Sequence, residues 1–442
     1  MEVVKSEHPL GIPTASSAAV LEAHEDQGRT VSRFDRWLLR RVMQAAGNPP
    51  IHAALWDDID SYVPDGHSYG RIVFRNRSVL LGLMKAPELA FGDAFSEGQI
   101  DLEGDPVELL TRCFGTANDL GPTGFKRSIF GRLPTAETNT TAGSKRHIHH
   151  HYDLGNDFYK LWLDEKMVYT CAYYPRPDAT LEEAQIAKMD HVCRKVRLEP
   201  GQTVVEAGCG WGSLALHMAR NFGVKVRAFN ISAEQIAFAR ERAEREGLTD
   251  QVEFVADDYR NVSGTYDAFV SVGMLEHVGA NHFDQLGEVV RRSLKPDGIG
   301  LIHSIGRNQA MAVNEWLEKR IFPGSYPPSL REMMSIFENR FSVLDIENIR
   351  LHYAKTLIEW LDRFDRNADT IRTMYDEPFI RAWRLYLGGC AASFISGTLQ
   401  LFQVVFTHAA NNNVALTREH LYPSAGTNDT TPTSTHTWQQ FD

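Results

Sequence analysis

Thr203-Val204-Val205-Glu206-Ala207-Gly208-Cys209-Gly210-Trp211-Gly212 is the stretch from which the fold is read. An apolar run of strand length ends in three glycines at alternate positions. Glycines permit a tight turn and let a ligand approach the backbone closely. A helix beginning there presents free amide donors, and residues 214–221 read as that helix. Residues 225–229 are the next strand and Ala233–Glu246 a long helix, with strands again at Val252–Ala256, 268–272 and 299–303. Such alternation implies a mostly parallel sheet covered on both faces, with ligands beyond the carboxyl ends of the strands. The expected fold is α/β and Rossmann-like.

The loop by itself is weak evidence for a ligand, since a tight strand-to-helix turn needs none. Its spacing, G-x-G-x-G, is not the dinucleotide fingerprint. The following strand ends in Phe229-Asn230-Ile231-Ser232, where no carboxylate waits for a ribose diol. Asn230 can make those hydrogen bonds instead. Ser232 has a competing role as N-cap of the next helix, and Gln235 lies one turn further in.

The chain has 442 residues, enough for two or three domains, with 43% hydrophobic and 23% charged residues, as in ordinary globular proteins. Five cysteines lack regular spacing, which points to reduced thiols and a cytoplasmic protein. No apolar run reaches membrane-span length, and the opening Met-Glu-Val-Val-Lys lacks a signal-peptide core. The net charge of -11 argues against a general nucleic-acid binder. One local basic group, Arg33, Arg36, Arg40 and Arg41, surrounds Phe34, Trp37, Leu38 and Leu39. On a helix, Arg33, Arg36 and Arg40 share a face, either solvated or in contact with a membrane surface.

Residues 1–30 read as a flexible arm and 31–118 as a small mixed α+β N-terminal domain. Within it, Arg71-Ile72-Val73-Phe74 and Ser78-Val79-Leu80-Leu81 read as short strands, and a helix starts near Pro106. Residues 119–146 form a linker, 147–423 the main domain with a lid insertion at 308–339, and 424–442 a disordered tail. The insertion's apolar turn at Ile321-Phe322-Pro323-Gly324, with Trp316, Leu317 and Trp360, either lines an acyl channel or packs the inserted helices. His147, His149, His150 and His151 invite a metal, but no cysteine or carboxylate pattern completes a tetrahedral set. No metal is expected.

Several motifs together resemble the cyclopropane-fatty-acyl-phospholipid synthase family, which includes the mycolic acid cyclopropane synthases. They are His151-Tyr152-Asp153-Leu154-Gly155-Asn156-Asp157, Tyr169-Thr170-Cys171-Ala172-Tyr173, the Glu206-to-Gly212 loop, Ile231-Ser232-Ala233-Glu234-Gln235, Ser271-Val272-Gly273-Met274-Leu275-Glu276-His277-Val278-Gly279 and Leu301-Ile302-His303-Ser304-Ile305-Gly306. The resemblance implies a class I S-adenosylmethionine-dependent methyltransferase. Tyr169, Thr170, Glu206, Gly208, Cys209, Gly210, Gly212, Asn230, Ile231, Ser232, Gln235, Tyr259 and Arg260 would then line the cofactor pocket. Glu206 stands where the family usually has aspartate and Asn230 where threonine is common; both keep hydrogen-bonding capacity.

The same resemblance implies methylenation of an unsaturated acyl chain, on a membrane phospholipid, to give a cyclopropane. An isolated alkene is a poor nucleophile and must be held in line in a dry pocket. Attack leaves a carbocation, which aromatic faces can stabilise without trapping it. Closing the ring then needs a base. In the family that base is a bound bicarbonate or carbonate ion, which places Glu276, His303 and Tyr353 around it, with backbone groups of Cys171 and Ile305. A carboxylate beside an anion shares a proton with it, so Glu276 is the candidate relay. Cys390 matches a cysteine sometimes given a catalytic role; its apolar neighbours equally suit a buried structural thiol. Loss of a different proton would give a methylene- or methyl-branched chain, and methylation of a small amine or hydroxyl compound is the other enzymatic alternative. Peripheral contact with the inner face of the membrane and a homodimer are expectations for the N-terminal domain.

Overall fold

The computed structural model describes residues 8–12, 30–119 and 154–422. The histidine group at 147–151, nearly all of the 119–146 linker and the 424–442 tail lie outside the described residues.

The N-terminal part opens with α1 (Arg33–Ala45), whose first turn is closed reciprocally. Ser32 Oγ accepts from the Asp35 amide and the Asp35 carboxylate accepts from the Ser32 amide, which satisfies two otherwise orphaned donors. Strands β1 (His52–Ala54), β2 (Asp60–Tyr62) and β3 (Arg71–Phe74) follow, then α2 (Arg77–Lys85), α3 (Pro87–Ser96), β4 (Ile100–Glu103) and α4 (Pro106–Asp119). The sheet runs β2-β1-β3-β4, with β1 and β3 parallel and the other pairs antiparallel.

Ser78-Val79-Leu80-Leu81 is not a strand; it lies inside α2. Asn76 Oδ1 accepts the Val79 amide at 3.0 Å and so caps a helix at that point. Val79, Leu80 and Leu83 face inward while Leu81 and Met84 face out, which is helical spacing. Residues 8–12, within the stretch read as a flexible arm, are packed: Leu10 and Ile12 are buried.

The larger part holds α5 (Asn156–Lys160), α6 (Leu181–Lys195), β5 (Thr203–Ala207), α7 (Ser213–Phe222), β6 (Lys225–Asn230), α8 (Ala233–Glu246), β7 (Val252–Ala256), β8 (Tyr266–Val272), α9 (Phe283–Ser293) and β9 (Leu294–Gly306). The 308–339 insertion carries α10 (Glu315–Arg320) and α11 (Leu330–Met334). Then come β10 (Phe341–Asn348), α12 (Arg350–Arg366), α13 (Ala368–Arg372), α14 (Glu377–Ile395) and β11 (Gln400–His408). The seven strands are ordered β10-β11-β9-β8-β5-β6-β7; β5 to β9 are mutually parallel, and β11 runs antiparallel to both its neighbours, β9 and β10. Chain order reverses at β5, so a crevice opens beyond its carboxyl end, where the glycine loop sits.

Alternate strand residues enter opposite cores. Val204, Val226, Val270 and Leu301 pack with α6, α7 and α8. Val205, Phe269 and Ile302 pack with α9 and the insertion. By the same alternation Glu206 and His303 fall on the α6 side. A third cluster runs without a break from Leu39, Ile72 and Leu80 to Trp162, Trp360 and Trp383, joining the two parts of the chain. Arg381 of α14 fastens the joint by donating to the Phe95 and Ile100 carbonyls. Trp316 belongs to this joint rather than to a channel: it is buried on Gly92 of α3, where a Cβ would fall 2.2 Å from the indole. Among the described residues no helix is long and apolar enough to cross a membrane.

Candidate active site

The three loop glycines differ in what they tolerate. All have positive φ: 87° at Gly208, 52° at Gly210 and 81° at Gly212. A Cβ on Gly208 would meet Met274 at 2.9 Å, and one on Gly212 would meet Phe254 at 2.6 Å and Ala239 at 2.8 Å. Nothing lies within 4 Å of a Cβ on Gly210. Gly208 and Gly212 are therefore small for packing, and Gly210 leaves backbone open to the crevice. Trp211 Nε1 donates to Asn156 Oδ1 at 2.7 Å and so ties α5 to the loop.

A cavity begins at this loop. Of the residues expected at the cofactor, Tyr169, Thr170, Glu206, Gly208, Cys209, Gly210, Asn230 and Gln235 line it together. Asn230 Nδ2 donates to Gln235 Oε1 at 2.7 Å, which sets both amides at one edge. Gly212, Ile231, Ser232, Tyr259 and Arg260 are not on the cavity wall. Ser232 caps α8 by accepting the Gln235 amide. Arg260 forks onto Asp258, with two bonds of 2.8 Å.

Trp211 of the expected loop lines the cavity too, and the sequence reading missed Lys188, Met274 and His277, which also line it. Lys188 is the most consequential. It is buried on α6 and donates from Nζ to Thr170 Oγ1 at 2.8 Å. Burial pushes its ammonium down to about 8, and the same burial pushes the Glu206 carboxyl up to about 8, partly offset by Lys188. Glu206 Oε2 has no hydrogen-bond partner. The signal was legible: a lysine inside the inward-facing stripe of an amphipathic helix needs an anion.

A second group adjoins the first. Glu276 sits on a 3-10 turn (Leu275–His277) just after β8 and is buried. Its Oε1 accepts the Ile305 amide at 2.6 Å, and Oε2 has no partner. Burial pushes this carboxyl up to about 7. The Ile305 N–H is thus already engaged by Glu276. The Tyr353 phenol has Tyr386, Cys171, Glu276 and Cys390 as its titratable neighbours, and burial pushes it well above the ordinary phenol range. Tyr353 packs against Phe394 at 4.8 Å and Trp360 at 6.0 Å. Tyr169, Tyr159, Trp162 and Trp360 form a continuous aromatic wall, with centroids 5.2 to 5.5 Å from Tyr169.

His303 stands on the α6 side. Gln403, directly opposite on β11, donates from Nε2 to His303 Nδ1 at 3.0 Å, which leaves Nε2 as the protonated nitrogen of a neutral ring. Burial, with Lys188 and Lys195 nearby, holds its pKa well below the ordinary value. Cys171 is an electrostatic neighbour of both Lys188 and Tyr353. It is buried and its thiol is pushed far up, and burial holds Cys390 up at about 12. Both are thiols rather than thiolates at neutral pH, and a thiol is a poor nucleophile.

A parallel sheet that feeds a glycine loop, with hydroxyl, amide and carboxyl groups converging beyond it, defines a class I S-adenosylmethionine-dependent methyltransferase. The solved structure of mycolic acid cyclopropane synthase CmaA1 complexed with SAH and CTAB superposes with a TM-score of 0.57 at 28% identity, covering 59% of this chain and 97% of that one. The profile of the family described as mycolic acid cyclopropane synthetase matches residues 139–404. A probable fatty acid methyltransferase of Pseudomonas putida is 35% identical over 386 residues, 84% of this chain and 96% of the relative. The cyclopropane-fatty-acyl-phospholipid synthase of Escherichia coli strain K12 is 42% identical over 269 residues, 61% of this chain and 69% of the relative. The chain belongs to the mycolic acid cyclopropane synthetase family.

Proposed function

We propose that the chain transfers a one-carbon unit from S-adenosylmethionine to the double bond of an unsaturated fatty acyl chain carried on a phospholipid, closing a cyclopropane. The observation that carries this reading is the Glu276 carboxyl: buried, with one oxygen taken by Ile305 N–H and the other unpartnered, beside Tyr353. O- or N-methylation also sheds a proton, but from a polar group that brings hydrogen-bonding partners or water with it, whereas the carbon chain brings none. The names of the relatives point the same way, one a fatty acid methyltransferase and the other a phospholipid cyclopropane synthase.

S-adenosylmethionine, when bound, supplies an electrophilic methyl group. Thr170, Glu206, the open Gly210 backbone, Asn230 and Gln235 offer donors and acceptors for its amino acid and ribose ends. Tyr169, on the cavity wall and backed by Trp162 and Trp360, would offer a π face to positive charge developing on the acyl chain. A bicarbonate or carbonate ion would have Glu276 Oε2, the Tyr353 hydroxyl and backbone of Cys171 as its holders, and would accept the proton lost on ring closure. His303, an electrostatic neighbour of Lys188, stands on the α6 side of the sheet. Glu276, poised near neutrality, can share that proton and pass it on. With a phospholipid as substrate the enzyme works peripherally at the inner face of the membrane.

A second product is favoured by the Pseudomonas relative, which matches nearly its whole length and is named for methyl transfer rather than cyclopropanation. The same first step with loss of another proton gives a methylene-branched chain, and later reduction a methyl branch. Labelled S-adenosylmethionine and mono-unsaturated phospholipid, followed by NMR of the product, decide between them. High-field cyclopropane methylene signals support ring closure; olefinic methylene signals replace it; no labelled lipid sinks both.

A further inference from the structure

Six large apolar side chains between residues 34 and 84 are 48 to 60% exposed: Phe34, Trp37, Ile59, Val63, Leu81 and Met84. Phe34 and Trp37 lie on α1, Leu81 and Met84 on α2, and Ile59 and Val63 at the ends of β2. Phe34 and Trp37 stack one turn apart on α1, with centroids 5.7 Å apart. Arg77, Leu81 and Met84 share a face of α2 by their spacing, and the Arg77 guanidinium lies 5.8 Å from the Phe34 ring. The outward stripes of the two helices therefore start side by side. Ile59 and Val63 flank Ser61 on the same side of β2, and Ser61 Oγ accepts from Arg36 of α1.

The unpaired charge on the two helices is cationic, and that on the strap around β2 is acidic. Asp57 pairs with Arg36 at 2.7 Å, and Asp58 and Asp60 pair with Arg71 at 3.0 and 2.7 Å. Asp35 is buried against Arg77. Arg71 is also shared with Glu103, and the exposed Asp65 has no cationic partner among the described residues, so the strap itself stays acidic and the surplus positive charge belongs to the two helices. Arg33, Arg40, Arg41 and Lys85 are exposed and have no carboxylate partner among the described residues. Arg33, Arg40 and Arg41 stand three or four residues from Trp37 and so ring it on the helix surface. In a chain of net charge -11, this is a cationic rim around an apolar centre.

We propose that the outward face of α1 and α2, away from the acidic strap around β2, docks the enzyme on an anionic phospholipid surface. Trp37, Phe34, Leu81 and Met84 enter the interfacial region, and the arginines and Lys85 meet lipid phosphates. A second copy fits less well, because a two-fold contact through this patch would set the same unpaired cations against each other. The proposal rests on the functional reading only for the benefit of docking, since it supplies a phospholipid substrate; docking itself requires no catalysis.

The test is flotation of the full chain with vesicles of phosphatidylcholine alone and of phosphatidylcholine with phosphatidylglycerol. The wild type should float with the anionic vesicles, and salt should weaken the association. Trp37→Ser with Leu81→Ser should lower it by about tenfold or more, as should Arg33→Glu with Arg40→Glu and Arg41→Glu. Both variants should keep the wild-type unfolding temperature and S-adenosylmethionine affinity by calorimetry. Equal binding of wild type and variants overturns the proposal. So does a sedimentation experiment in which the substitutions split a dimer while vesicle binding is unchanged. Vesicle binding without conversion of unsaturated lipid would instead remove the functional reading and leave the docking face standing.

Discussion

Lys188 Nζ donates to Thr170 Oγ1 at 2.8 Å inside the cavity wall that both share with Glu206. A buried ammonium beside a buried carboxyl is tolerated because each offsets the cost of the other. Lys188→Met removes the donor to Thr170 Oγ1 and the charge that partly offsets the burial of Glu206, a loss of about 1–3 kcal/mol. Thermal unfolding should show that loss. Lys188→Met with Glu206→Gln should restore most of the stability, while calorimetry should still show weakened S-adenosylmethionine binding. Full binding by the double variant would remove both residues from the cofactor site.

The loop glycines separate stability from binding. Gly212→Ala should destabilise by about 2–4 kcal/mol, because its Cβ falls on Phe254 and Ala239 in a left-handed conformation. Gly210→Ala meets no neighbour and should cost only about 1–2 kcal/mol for its φ of 52°. It should nonetheless bind S-adenosylmethionine at least about tenfold more weakly, because the methyl group stands where a ligand would approach the backbone.

Glu276 ties stability to pH. Burial raises its folded pKa to about 7 from an ordinary 4.5, so the folded chain holds this proton more tightly than the unfolded one. The sign follows: stability from this group is present below 4.5 and is lost as pH rises through about 7. The gap corresponds to at most about 3 kcal/mol. Glu276→Gln should therefore unfold at a higher temperature than wild type at pH 8 and at a similar one at pH 4.5, while lipid methylenation is lost. Equal pH dependence in the two proteins would show that Glu276 is not the titrating group.

The anion can be tested by removing it. In carbon dioxide-free buffer, turnover should fall about tenfold or more and return on addition of bicarbonate, as expected when a positioned base is lost. Tyr353→Phe should lower turnover and weaken the bicarbonate response, with S-adenosylmethionine affinity unchanged. Indifference to bicarbonate would leave Glu276 as the sole base.

The main sheet was legible because its signals are local. The 203–207 strand, the glycine spacing and the helix at Ala233–Glu246 are contiguous in sequence, and periodicity reports them directly. Residues 78–81 were misread for the same reason: four residues containing Val and two Leu satisfy a strand pattern, and only the cap at Asn76 and the burial of Leu83 reveal a helix. Tyr259 and Arg260 were expected at the cofactor from position in a motif. Arg260 forks onto Asp258, two residues away, a local hydrogen bond that motif position does not register.

From the sequence alone came the parallel α/β sheet, the crevice at the glycine loop, and the residue types Glu206, Asn230, Glu276, His303 and Tyr353. Periodicity and turn chemistry are short-range, and the order of the motifs restricted the family. Only the tertiary structure decided which of these groups meet. It seated Lys188 of α6 beside Glu206 of β5, left one oxygen of Glu276 without a partner, turned His303 toward Gln403 and the α6 side, and set the outward apolar stripes of α1 and α2 side by side among unpaired cations. Those outcomes depend on burial and on contacts between segments far apart in the chain, where the cost of an unpaired charge or an unpartnered oxygen is set by the surroundings rather than by the residue.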